Sequence, residues 1–327
     1  MPAFLSEMWK LVRHGQYLCI YPAAFESDDE RKQNFSFPKN IQSEEVTITT
    51  SDKVTLKCYI LRASQRRTRS DPPSTPHSRN VEMTSRSKSP SRTPPRAVVL
   101  LFHGNAYHAW NHAYSGQQFA RLGCDALMVS YRGYGHSTGR PSEKGLRRDA
   151  QAALDYVLAD PVLSKCAVIL HGHSLGGAVA LSLASRNPDK ISGLIVENTF
   201  LSIPLVAKEI PVIRHLTCFI HQKWESNKRI KKIPKTVPIL MLSGKSDEVV
   251  PESHMLKLWD IAATRGEAKS PKDKMTSKSK SEEKESGAQI DHSNDIFKSI
   301  PGGTHADTWT RSGYWSTISK FLEKLNL

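Results

Sequence analysis

The chain has 327 residues, 38% of them hydrophobic, enough for one large α/β domain or two small ones. Its five cysteines (Cys19, Cys58, Cys124, Cys166, Cys218) are odd in number and widely spaced, with no C-x-x-C pair; this argues against a disulfide framework or zinc site and fits a reducing, intracellular compartment. The net charge of +14 is local: residues 62–96 hold nine Lys/Arg against two acids and residues 214–235 hold seven against one, so no nucleic-acid partner is expected.

Residues 1–43 form an N-terminal segment without an apolar run of membrane-spanning length or a signal-peptide pattern. Phe4, Leu5, Met8, Trp9 and Val12 recur at helical spacing beside Lys10, Arg13 and His14. Such a helix either lies on a membrane surface or packs on its own domain, so the chain is read as soluble or peripherally membrane-associated. From residue 44 to 327 the chain reads as one domain. Val46–Thr50 and Val54–Leu61 alternate around Ser51-Asp52-Lys53, which reads as an antiparallel hairpin. Residues 62–96 are Ser/Pro/Arg/Thr-rich and bury too little apolar surface to offset their ordering entropy, so disorder is expected.

At Ala97 a rhythm of strand, loop and helix begins. The apolar runs Ala97–Phe102, Ala126–Ser130, Ala167–His171, Ile191–Glu197, Pro238–Ser243 and Asp295–Ile300 have strand length. Trp110–Leu122, Ser142–Leu158, Leu175–Ser185, Pro251–Ala262 and Asp307–Leu325 read as helices. Apolar runs joined by helices predict a parallel sheet with helices on both faces, and the hairpin brings it to about eight strands. Residues 198–236, basic and partly apolar, look like a small lid. Residues 265–293 are Lys/Ser/Glu-rich and look like a second disordered insertion.

Gly172-His173-Ser174-Leu175-Gly176 is a G-x-S-x-G pattern placed directly after a strand and before an Ala/Leu-rich helix. There the sharp turn lifts the Ser174 hydroxyl clear of the sheet edge as a nucleophile. A serine needs a base, and of thirteen histidines His305 is the one in a loop after the last strand, where open α/β sheets place active sites. His171 and His173 lie too close to the serine in sequence to face it and read as structural. The base needs an acid, and Asp247 follows the preceding strand, giving the chain order Ser…Asp…His. Glu248 and Glu197, which also sit at the sheet edge, are the rivals. The oxyanion donors are expected at the backbone N–H of Leu175 and of Asn105, in the loop His103-Gly104-Asn105-Ala106. Gly133-Tyr134-Gly135 either touches substrate at the same rim or forms a packed turn.

Phe102–Ala106, Tyr131–Gly135, Pro141–Leu146, Gly172–Gly177, Asp247–Pro251 and His305–Trp309, in this order and spacing, resemble the bud emergence protein 46-like serine hydrolases of the α/β-hydrolase superfamily. Among these the sequence is similar to the animal α/β-hydrolase domain-containing protein 13 group. The resemblance covers roughly residues 44–325 apart from the two disordered insertions, which are peculiar to this chain, and implies the α/β-hydrolase fold, with a mostly parallel eight-stranded sheet, helices on both faces and the small lid. It also implies serine hydrolase chemistry, with protein depalmitoylases and membrane-associated proteins among the relatives. This sequence departs from the family at Ala106–Trp110, where relatives have a second glycine-rich turn, and at its start, where the short segment around Trp9 stands in place of a membrane-spanning helix.

Together these residues point to hydrolysis of a carboxylic ester or thioester, on an acyl-lipid or acyl-protein substrate, through an acyl-enzyme. No cofactor or metal is expected, and the acyl chain would lie against the lid. The alternatives are an amidase or aminopeptidase on the same triad, and a non-catalytic scaffold that keeps the fold for protein binding.

Overall fold

The structure, a computed structural model, describes residues 15–26, 41, 43–63, 94–211, 214–265 and 294–327. Its strands are β1 (Glu44–Thr49), β2 (Thr55–Leu61), β3 (Ala97–Phe102), β4 (Cys124–Val129), β5 (Ala167–His173), β6 (Gly193–Glu197), β7 (Ile239–Gly244) and β8 (Ile296–Ile300). They form one eight-stranded sheet in the order β1-β2-β4-β3-β5-β6-β7-β8. The β1–β2 hairpin is antiparallel, β2 joins β4 antiparallel, and every pairing from β4 to β8 is parallel. This is the α/β-hydrolase architecture.

The helices are α1 (Ala113–Arg121), α2 (Glu143–Ala159), α3 (Leu175–Ala184), α4 (Ile203–Glu209), α5 (Ser226–Ile230), α6 (Glu252–Ala263) and α7 (Tyr314–Lys324). Alternation along the strands divides the core in two. Val98, Leu100 and Phe102 of β3 pack with Leu146 of α2, Ala178 of α3 and Leu258 of α6 on one face. Val99 and Leu101 pack with Phe119 of α1 and with Ile318 and Phe321 of α7 on the other. All six residues of β3 are buried, as a central parallel strand covered on both sides requires.

Four sequence-based boundaries change. The domain does not begin at residue 44: residues 15–20 are helical, Pro22–Phe25 forms a 3-10 turn, and Tyr21 is fully buried. The Tyr21 hydroxyl donates to Gln222 Oε1 at 3.0 Å and accepts from Trp224 Nε1 at 3.0 Å, so this stretch packs on its own domain. The amphipathic residues Phe4 to Val12 lie outside the described residues; among those described, no helix is long and apolar enough to cross a membrane.

The ends of the first insertion belong to the fold. The Ala63 N–H donates to Asp125 Oδ1 at 2.8 Å, Arg62 reaches Asp125 Oδ2 at 3.2 Å, and the Arg96 N–H donates to Gly123 at 2.9 Å. Residues 64–93, on which most of the expected disorder falls, lie outside the described residues, as do 266–293.

Arg265, taken from composition as the first residue of the second insertion, is 1% exposed. It pairs with buried Asp295, donating through Nη2 to Oδ1 at 2.8 Å and also bonding through Nη1 to Oδ2. The same Asp295 Oδ1 accepts the Ile239 N–H at 2.9 Å, which fastens the start of β7.

The segment read as a lid, 198–236, carries α4, a 3-10 turn at Arg214–Phe219 and α5. Trp224 anchors it: its ring is buried, its backbone N–H donates to Glu143 Oε2 at 3.1 Å, and the Arg147 guanidinium lies 5.7 Å from the ring centre. Trp224 thus finds its partners in α2 and in Tyr21, while Ile210 and Phe219 of the same segment stay exposed.

The buried pair Arg265–Asp295 yields a stability prediction. Asp295→Ala leaves a guanidinium uncompensated in the core and should cost about 3–5 kcal/mol. Urea unfolding measures this, and a loss near zero would show that the pair does not hold the ends of the second insertion.

Candidate active site

The strand order reverses at β3, whose neighbours are β4 and β5, so the loops leaving β3 and β5 open a crevice at the carboxyl edge of the sheet. The turn after β5 brings Ser174 there. Its backbone has φ 52° and ψ −118°, a conformation a non-glycine residue adopts only when its surroundings enforce it. The next strand does so: the Ser174 N–H donates to the Glu197 carbonyl at 2.9 Å, and Thr199 Oγ1 donates to the Ser174 carbonyl at 2.8 Å. The two motif glycines permit the close approach. A Cβ on Gly176 would lie 2.0 Å from the Phe102 carbonyl oxygen, and one on Gly172 would lie 2.2 Å from that of Gly176.

Ser174, Asp247 and His305 come together. Ser174 Oγ lies 3.0 Å from His305 Nε2, and His305 Nδ1 lies 2.8 Å from Asp247 Oδ2. The other carboxylate oxygen of Asp247 accepts the N–H groups of Val249 and Val250 at 2.9 and 2.7 Å, so the acid is held from behind. Neither rival acid takes this place. Glu248 accepts only the backbone N–H of His305, at 3.3 Å, and Glu197 Oε2 accepts the Tyr314 hydroxyl at 2.7 Å.

Two supporting residues escape the sequence pattern. Asn198, at φ 46°, donates through Nδ2 to the carbonyls of Thr304 and His305 and to Thr308 Oγ1, while its Oδ1 accepts the Gly244 N–H at 2.8 Å. It therefore ties the loop of His305 to the loop of Asp247. His173 lies 2.8 Å from the His305 carbonyl through Nε2, and since a carbonyl only accepts, that nitrogen carries the proton. Burial pushes the His173 imidazole down to about 3, so it serves as a neutral donor. His173 is read from the sequence only as structural, and the only sequence signal for Asn198 is its adjacency to a strand end.

The loop of Asn105 is fixed through its carbonyls. Tyr131 donates to the His103 carbonyl at 3.1 Å and Tyr134 to that of Asn105 at 3.0 Å. Tyr134 is fully buried, so the Gly133–Gly135 turn is a packed brace for this loop. Leu175 opens α3, and its N–H therefore has no acceptor within the helix.

Beside the serine lies a cavity of about 220 Å³, whose walls include Tyr107, Asn111, Ser115, His173, Glu197 and Ala306. No residue of 198–236 lines it, so the expected contact of an acyl chain with a lid is not found at this cavity. Glu197 is buried, with Oε1 unpartnered. Burial raises its carboxyl from 4.5 to about 7 against the hydrogen bond from Tyr314, with the nearby Asp247 charge adding to the rise. His171, 3.0 Å from the Tyr314 hydroxyl, is held at about 4, and His112 well below its ordinary value, both by burial. Among the described residues no three His, Cys, Asp or Glu side chains converge to hold a metal.

Because the folded-state value of Glu197 is raised, its contribution to stability is complete below about 4.5 and is lost as the pH rises through about 7. Between pH 5 and pH 8 the native protein should therefore lose stability relative to Glu197→Gln, as read by urea unfolding at both pH values. Parallel pH dependences would refute the raised carboxyl.

Comparison with known proteins identifies the family and the fold. A family model described as "Serine aminopeptidase, S33" matches residues 93–233. The chain is 35% identical to "Alpha/beta hydrolase domain-containing protein WAV2" of Arabidopsis thaliana over 62% of each chain. A crystal structure of an alpha-beta hydrolase from Vibrio vulnificus superposes with a TM-score of 0.65 at 20% identity, covering 95% of this chain and 93% of that one, which shows the fold. "Protein bem46" of Schizosaccharomyces pombe is 33% identical over 94% of this chain and 85% of its own length. With that identity running through nearly the whole length, and with the sheet order and strand-end loops described above, the chain belongs to the bem46 family of α/β-hydrolases.

Proposed function

We propose that the chain is a serine hydrolase that cleaves the acyl bond of a carboxylic ester or thioester. The observation that carries this reading is the continuous contact from Ser174 Oγ through the His305 ring to Asp247, at 3.0 and 2.8 Å, on a turn whose backbone is held at positive φ. In this reading His305 accepts the Ser174 proton through Nε2 as Oγ attacks the substrate carbonyl, and Asp247 accepts the Nδ1–H and balances the imidazolium. The N–H groups of Leu175 and Asn105 stabilise the oxyanion; the start of α3 at Leu175 and the carbonyl-pinned loop at Asn105 support that assignment. His305 then returns its proton to the leaving group, and a water molecule, activated by the same imidazole, releases the acyl group from Ser174. The substrate is a small or acylated molecule, and no step calls for a cofactor.

Amide cleavage, as in an aminopeptidase, is a second reading on the same residues, and the description of the matching family model favours it. Turnover of amino-acid p-nitroanilides without turnover of p-nitrophenyl esters would select it.

Ser174→Ala should abolish fluorophosphonate labelling and ester hydrolysis; loss of a triad nucleophile costs on the order of a million-fold in kcat. Labelling that survives in this variant would remove Ser174 from the mechanism. Asp247→Asn should lower kcat by roughly ten-thousand-fold with the fold retained, because an amide favours the wrong imidazole tautomer and cannot balance the imidazolium. A loss below ten-fold would assign the acid's role elsewhere.

A further inference from the structure

Glu197 is a buried carboxyl at the end of β6 that the proposed reaction leaves unused. One of its oxygens is bonded to Tyr314 and the other is buried without a partner, and its side chain forms part of the wall of the cavity. Two walls of that cavity, His173 and Ala306, are the immediate chain neighbours of Ser174 and His305. The His173 ring lies 4.9 Å from the His305 ring, so the cavity adjoins the triad on the side of its base.

The dimensions suit a small group. About 220 Å³ is less than the roughly 300–1,000 Å³ of pockets for drug-sized ligands. The chemistry of the walls narrows the choice further. Glu197 Oε1 offers an acceptor. Asn111 uses its Oδ1 to accept the His108 N–H at 2.7 Å, which leaves its amide NH2 to donate. The Ser115 hydroxyl does both. His112 and His173, neutral through burial, add no charge.

We propose that this cavity is a specificity pocket for a small hydroxyl-bearing group of the substrate, accepted by Glu197 and donated to by Asn111, with Ser115 on the adjoining wall. A hydroxyl both donates and accepts, which matches the mixed set. An ammonium only donates, so it would leave the Asn111 amide unanswered even though Glu197 and the unprotonated Nδ1 of His173 can accept from it. An alkyl group would leave Glu197 Oε1 buried and unpaired, the condition under which sites built for a hydroxyl reject analogues that lack one. The assignment rests on Ser174 as nucleophile and specifies the substrate class for that site.

The test uses two matched pairs of esters on the full chain. Glycerol 1-butyrate against propyl butyrate places the hydroxyls on the alcohol side, and ethyl 3-hydroxybutyrate against ethyl butyrate places one on the acyl side. The pocket should favour the hydroxylated member of at least one pair by ten-fold or more in kcat/KM, and the pair that responds identifies the side. Glu197→Gln, whose amide oxygen can take the Tyr314 bond and leave an NH2 toward the cavity, should bring that ratio toward one. Ser115→Ala should lower it in part, and it serves if the Gln variant fails to fold. Equal rates within both pairs, or no turnover of either hydroxylated ester, in protein that fluorophosphonate labels at Ser174 would overturn the pocket while leaving the nucleophile in place. Preference for ethyl 3-aminobutyrate over ethyl 3-hydroxybutyrate would also overturn it. Absence of labelling would instead strike the hydrolase reading itself.

Discussion

The geometry of the site depends on one strained residue and the strand that restrains it. A non-glycine backbone at the φ and ψ of Ser174 costs on the order of 1–3 kcal/mol. Two hydrogen bonds from the end of β6, each worth about 1 kcal/mol net, offset a cost of that size without removing it. The turn is therefore stable only where β5, β6 and the first turn of α3 meet. The clashes that a Cβ would make at Gly172 and Gly176 show how closely they do so. Once the turn is set, the hydroxyl has little freedom, and the loops after β7 and β8 need only present an acid and an imidazole to a fixed point.

Those two loops are themselves joined. Asn198 spends every polar atom of its amide on them, three acceptors for Nδ2 and one donor for Oδ1, so that the separation between Asp247 and His305 is set by a third residue. Beneath them, His103, His171 and His173 are kept neutral by burial and supply hydrogen bonds without adding positive charge near His305. With these imidazoles uncharged, no neighbouring histidine cation competes with the His305 ring for Asp247.

Much of this was legible in the sequence because it is local. Strands buried on both faces leave apolar runs, and a nucleophile turn leaves glycines at fixed offsets from a serine, so β3, α3 and Ser174 could be located without coordinates. Asp247 and His305 followed from their position just past a strand end. Partners distant in sequence left no such trace. Tyr21 belongs to the core through Trp224, about two hundred residues on, and Arg265 looked like the start of a charged tract because Asp295 lies thirty residues away across the masking composition. Asn198 and the Tyr314–Glu197 bond are invisible for the same reason. The apolar residues of 198–236 were ambiguous in principle, since a segment that covers substrate and one that packs on a neighbouring helix have the same composition.

The two inserted stretches leave and re-enter the fold at one end of the sheet. Arg62 and Ala63 close on Asp125 at the start of β4, Arg96 on Gly123 one turn away, and Arg265 on Asp295 beside the start of β7. The serine, acid and base all lie past the opposite, carboxyl ends of the strands. Each exit is closed by its own polar clasp, at the edge of the sheet opposite Ser174, Asp247 and His305. This end of the molecule is a permissive margin, open to lengthening, shortening or the grafting of a label, while the other end admits almost no change.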